Sequence, residues 1–103
     1  MTRIERIEEM EQCLEASQKA VAAMQEALED YEAVQPAFKK LCDYYGSVRW
    51  MNDFEADEAG KLPKELKRGV LSEDAVYDLI VEHHEMTSRL LNIIAKNVEG
   101  HRA

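Results

Sequence analysis

Residues 7–31 read IEEMEQCLEASQKAVAAMQEALEDY, and their spacing decides the fold. Ile7, Met10, Leu14, Ser17, Val21, Met24, Leu28 and Tyr31 follow alternating steps of three and four. That rhythm places them on one seam of an α-helix, as in a coiled coil. Ala16, Ala20, Ala22, Ala23 and Ala27 lie between them and raise helix propensity. The reading extends outward to a helix over about residues 3–34. Pro36 removes a backbone donor and crowds the turn before it, so it is expected to end or kink this helix. The register nevertheless continues through Phe38, Cys42 and Tyr45, which predicts a second helix over about 36–45, nearly in line with the first. Gly46 fits the left-handed residue after a helix end, and Ser47 fits the cap of a short helix carrying Val48, Trp50, Met51 and Phe54.

The period is lost from Glu55 to Leu71, where Gly60, Pro63 and Gly69 punctuate the chain and Lys64–Arg68 offers one helical turn. A last helix is expected from Ser72 as N-cap to about Val98, with Gly100 just beyond. Glu73 and Asp74 sit where the helix dipole favours anions, and Leu71 is placed to pack on Val76 as a hydrophobic staple. Its apolar face is wide. Val76, Leu79, Ile80, His83, Met86, Thr87, Leu90, Ile94 and Val98 form the stripe, and Tyr77, Val81, Leu91 and Ile93 broaden it. One partner helix covers a narrow seam but not a stripe of this breadth. The expected architecture is all-α: one helical domain over 1–103, with a long antiparallel hairpin (about 3–45, kinked near Pro36, and 72–98). Short helices and a loop lie between, and dimerisation completes a bundle.

Composition narrows the function classes. The 103 residues carry a formal net charge of −8, with 46% hydrophobic and 33% charged side chains, which suits one folded domain. Acid is concentrated at the ends, while residues 36–71 are slightly basic. A negative surface repels phosphate backbones, so nucleic acid is not an expected partner. No apolar run approaches a membrane span or a signal peptide, so no membrane partner is expected. Cys13 and Cys42, outside any Cys-x-x-Cys spacing, read as reduced, half-buried thiols of a cytoplasmic protein.

Three clusters in the middle are candidate sites. Asp53, Glu55, Asp57 and Glu58 are hard oxygen ligands that suit Mg²⁺ or Mn²⁺ if a second carboxylate pair, Glu82 and Glu85, faces them. Such an arrangement is that of a small hydrolase acting on a nucleotide or phosphate ester. Acidic pairs three apart recur along the chain (Glu5–Glu8, Glu8–Glu11, Glu26–Glu29), so the spacing carries little information, a solvated acidic turn is the favoured reading, and no cofactor is expected. Lys61, Lys64, Lys67 and Arg68 can clamp an anion beside the last helix, or pair internally with the acidic groups. Tyr44, Tyr45, Trp50 and Phe54 fall within eleven residues and read as a core knot or, alternatively, an interaction patch. Adjacent His83 and His84 point about 100° apart on a helix and do not share an ion. His83 belongs to the apolar stripe and His84 to the surface. No nucleophile has a base at useful spacing, and no glycine-rich phosphate loop occurs, so no catalytic residues are assigned.

Two central runs are distinctive. Tyr44-Tyr45-Gly46-Ser47, Trp50 and Asp53 to Pro63 form the first, and Leu66-Lys67-Arg68-Gly69-Val70-Leu71-Ser72 through Leu79 the second. With Arg6-Ile7-Glu8-Glu9-Met10-Glu11 they resemble the domain-of-unknown-function 4298 family over most of residues 6–95. The resemblance implies a bacterial, cytosolic, helical protein of about this length, with no catalytic residues to carry over. The function expected from the sequence is a non-enzymatic helical interaction module, paired with a second copy or a protein partner. The alternatives are the metal-dependent hydrolase and an acidic decoy that binds a basic protein.

Overall fold

The structure, a computed structural model, describes residues 2–100. They form three α-helices, α1 (Arg3–Tyr44), α2 (Val48–Glu58) and α3 (Ala75–Gly100), with a 3₁₀ turn at Gly69–Leu71 and no strand among the described residues. A long first helix, a short second helix and a long last helix give the all-α element order that fits a helical hairpin. The chain divides into two compact units, Met1–Phe38 and Lys39–Ala103, with the boundary inside α1.

The first unit is helix from Arg3 onward. Thr2 and Glu5 close its N-terminus as a capping box. The Glu5 N–H donates to the Thr2 hydroxyl at 3.1 Å, and the Thr2 hydroxyl donates to the Glu5 carboxylate at 2.9 Å. The spacing Thr-x-x-Glu announces this cap, and the sequence reading overlooked it. Every residue from Thr2 to Asp30 is exposed, the apolar seam included. Cys13 is therefore exposed, not half-buried as expected, while Cys42 is half-buried.

Pro36 does not divide the helix in two: α1 runs through it as one element. The missing N–H deprives the Glu32 carbonyl, on an exposed residue, of its usual helical donor. In the same turn the Gln35 side-chain amide donates to the Tyr31 carbonyl at 3.5 Å. The uninterrupted seam register through Tyr31, Gln35, Phe38, Cys42 and Tyr45, all half-buried, is what favours helix on both sides of the proline.

The second unit is organised by two serines used in the same way. Ser47 Oγ donates to the Tyr44 carbonyl at 2.6 Å and accepts from the Trp50 N–H at 3.2 Å. Ser72 Oγ donates to the Gly69 carbonyl at 2.9 Å and accepts from the Ala75 N–H at 3.1 Å. Each satisfies one carbonyl of the preceding turn and one orphan donor of the helix that follows. Gly46, at φ 80°, supplies the left-handed residue that ends α1.

Two local expectations change. The acidic run 53–58 is helical, because α2 extends to Glu58 and closes in a Schellman motif. The Lys61 N–H donates to the Ala56 carbonyl and the Gly60 N–H to the Asp57 carbonyl, both at 3.0 Å, with Gly60 at φ 70°. The helical turn expected at 64–68 is instead a single turn closed by the Leu66 N–H on the Pro63 carbonyl, followed by the 3₁₀ turn. α3 begins three residues after its Ser72 cap and reaches Gly100, two residues further than expected.

The core is small: among the described residues Trp50, Leu71 and Val76 are the buried hydrophobic ones, at 9%, 6% and 3% exposure. Leu71 and Val76, the expected staple pair, flank the start of α3. From there Ile80, His83, Thr87 and Leu90 continue a half-buried seam in steps of four and three. The Thr87 hydroxyl is satisfied by donating to the His83 carbonyl at 3.0 Å. The rest of the wide stripe, including Tyr77, Leu79, Val81, Met86, Leu91, Ile93, Ile94 and Val98, is exposed, as is His84.

Candidate functional site

The central segment is built around Trp50. Its ring lies at 5.2 Å from Phe54, nearly parallel, and at 5.3 Å from Tyr45, edge-on. The four-residue step from Trp50 to Phe54 on α2 produces the stack, and such offset and edge contacts are the favoured geometries of aromatic pairs. The indole N–H donates to the Val70 carbonyl at 2.8 Å, and the Tyr45 hydroxyl donates to the Glu73 carbonyl at 3.1 Å. The knot therefore ties α2 and the end of α1 to the backbone that launches α3. Of the four aromatics singled out in the sequence, Tyr45, Trp50 and Phe54 are joined by ring contacts. Tyr44 faces elsewhere, donating its hydroxyl to Asp53 Oδ2 at 2.6 Å.

That bond shifts the Tyr44 titration. Asp53 accepting the hydroxyl holds the phenol above its ordinary 10.0, and partial burial and the carboxylate's charge act in the same direction. The sign follows from linkage. A folded-state value above the unfolded one gives stabilisation that is complete below pH 10.0 and lost as pH rises through the folded value. In an absorbance titration of phenolate, Tyr44 is expected to ionise above 10.0, and Asp53→Asn to bring it back towards that value. An unmoved midpoint in Asp53→Asn would contradict the assignment.

Arg68 straps the loop to α2. Its guanidinium pairs with Asp57 and donates to the Pro63 carbonyl, and its Nε donates to the Leu66 carbonyl at 3.4 Å. The pairing has an electrostatic reason. Glu55, Asp57 and Glu58 crowd the C-terminal end of α2, where the helix dipole disfavours anions, and its last turn carries no base. Arg68, half-buried, supplies that positive charge from across the loop. Lys61, Lys64 and Lys67 are exposed beside it.

The acidic residues separate into two roles. Asp53 and Asp57 are engaged by Tyr44 and Arg68, while Glu55 and Glu58 on α2, and Glu82 and Glu85 on α3, are exposed. Among the described residues no group of three or more His, Cys, Asp and Glu side chains is placed to hold a metal ion. No described helix is long and apolar enough to cross a membrane. What the central segment does chemically is close a small core: it satisfies the cap, indole and guanidinium donors and leaves lysines and glutamates to solvent.

Comparison with known sequences and structures agrees with the resemblance carried by the central runs. No curated protein and no solved structure matches the chain. The model of a family described as a domain of unknown function, DUF4298, matches residues 7–93, from the first seam residue of α1 to the distal part of α3. The chain belongs to the DUF4298 family.

Proposed function

We propose that this protein is a non-enzymatic helical association module that works as a homodimer. The observation that supports this reading is the state of α1. From Thr2 to Asp30 it carries a regular apolar seam, and no residue of that stretch is even half-buried. Helices in proteins draw most of their stability from burying an amphipathic face rather than from propensity alone. An uncovered seam of this length is the mark of a surface waiting for a partner. α3 adds a second such surface, because the apolar residues beside its half-buried seam are open. A cytoplasmic setting in a bacterium is part of the proposal, supported by two free thiols and by the family resemblance.

If association completes the fold, thermal stability depends on protein concentration by mass action. Far-ultraviolet circular dichroism melts over a hundredfold concentration range are expected to show a midpoint that rises with concentration. A midpoint independent of concentration would count against the reading.

A further inference from the structure

Resting on the homodimer reading, we infer that residues 7–28 of α1 pair with the same residues of a second copy as a parallel, in-register two-stranded coiled coil. With Ile7 at position a of the heptad, Ile7, Leu14, Val21 and Leu28 occupy a, and Met10, Ser17 and Met24 occupy d. The six apolar members of this seam are 43–58% exposed in the single chain. All of them lie within the first unit.

Charge points to a second copy as the occupant. Residues 1–35 are strongly acidic, and two copies would repel if that charge flanked the seam. Most of it does not. Seven of the nine acids, Glu5, Glu8, Glu9, Glu15, Glu26, Glu29 and Asp30, fall at b, c and f, on the faces turned away, and only Glu11 and Glu32 fall at e. From residue 13 to residue 27 the flanking e and g positions hold Cys13, Gln18, Ala20, Gln25 and Ala27, none of them charged. An acidic helix with a neutral contact strip is compatible with its own copy, and the small residues at g let the two backbones approach.

Orientation follows from the same positions. In a parallel pair each g side chain meets the e side chain five residues later on the partner. Arg6 then faces the partner's Glu11, giving two attractive pairs at the N-terminal end, and no like-charged pair arises through residue 28. Ser17, the polar member of the d layers, meets its own copy, so the two hydroxyls can satisfy one another and fix the register. In an antiparallel pair the a and d layers mix, and that hydroxyl faces an apolar side chain such as Val21.

Two full-length variants test this by sedimentation equilibrium. Leu14→Glu with Val21→Glu alters exposed side chains only. It is expected to weaken dimerisation at least a hundredfold while circular dichroism shows the helices of the second unit retained. Ser17→Cys, with Cys13→Ala and Cys42→Ala to leave one thiol, is expected to convert almost wholly to a disulfide-linked dimer under a mild thiol oxidant, since parallel register brings the two sulfurs together. A double variant that dimerises as tightly as the wild-type protein overturns this pairing but leaves the homodimer reading, with α3 as its surface. A failure of Ser17→Cys to cross-link in an intact dimer overturns the parallel register. A wild-type monomer overturns both the pairing and the reading beneath it.

Discussion

Trp50→Ala is expected to cost the protein about 3–5 kcal/mol, the range for removing a large aromatic from a packed core. The residue stacks on Phe54, meets the edge of Tyr45 and donates its indole N–H to Val70, so one truncation removes three separate contacts. Two other hydrophobic residues, Leu71 and Val76, share that core, and they cannot collapse onto a cavity of that size without drawing the start of α3 away from α2. Domains of this size have about 5–15 kcal/mol of stability in total, so the loss should leave the second unit only marginally folded. Urea titration followed by circular dichroism measures it, and a midpoint shift worth less than about 1 kcal/mol would show that Trp50 does not organise the core. Trp50→Phe keeps a ring but loses the indole donor, and should cost about 1 kcal/mol more than a pure ring exchange.

Pro36→Ala should act in the opposite direction. A proline inside a helix is about 3 kcal/mol less favourable than alanine, because it removes one backbone hydrogen bond and crowds the carbonyl four residues before. Proline also restrains the unfolded chain, which returns about 0.4–1 kcal/mol. The net gain expected from the substitution is about 2–3 kcal/mol. Residue 36 is exposed and off the seam, so no side-chain contact is lost. The backbone amide that the substitution creates at position 36 should be protected from hydrogen exchange by the Glu32 carbonyl, and the helical signal of α1 should persist to higher denaturant. A destabilised variant, or an unprotected amide at 36, would mean that the proline stands at a true interruption of the helix.

The sequence was most informative where structure depends on neighbours along the chain. The seam of α1, the caps Ser47 and Ser72 and the left-handed Gly46 are local devices with local signals, and each occurs where its residue type demands. The extension of α2 through Glu58 was missed although Gly60 marks it, because the apolar period ends at Phe54, and the three acids beyond it also oppose the helix dipole. What offsets that opposition is Arg68, ten residues after Glu58 and across a proline turn, and no spacing rule identifies that partner. The bond from Tyr45 to the Glu73 carbonyl was hidden for the same reason: it joins residues far apart in sequence through a backbone group. The width of the α3 stripe was legible, but not its division into a half-buried seam and open flanks, which depends on what lies against the helix. At the candidate sites, residue type was visible and engagement was not. Asp57 and Glu58 are adjacent carboxylates, yet one is paired with Arg68 and the other is exposed.

Whether the uncovered seam of α1 is a contact surface is answered most directly by the mass of the protein in solution. Sedimentation equilibrium of the full-length wild-type chain at micromolar concentration is predicted to give twice the 11.8 kDa chain mass, falling towards the single-chain value on dilution. A mass of 11.8 kDa maintained into the millimolar range would contradict the homodimer and leave the seam without its proposed role.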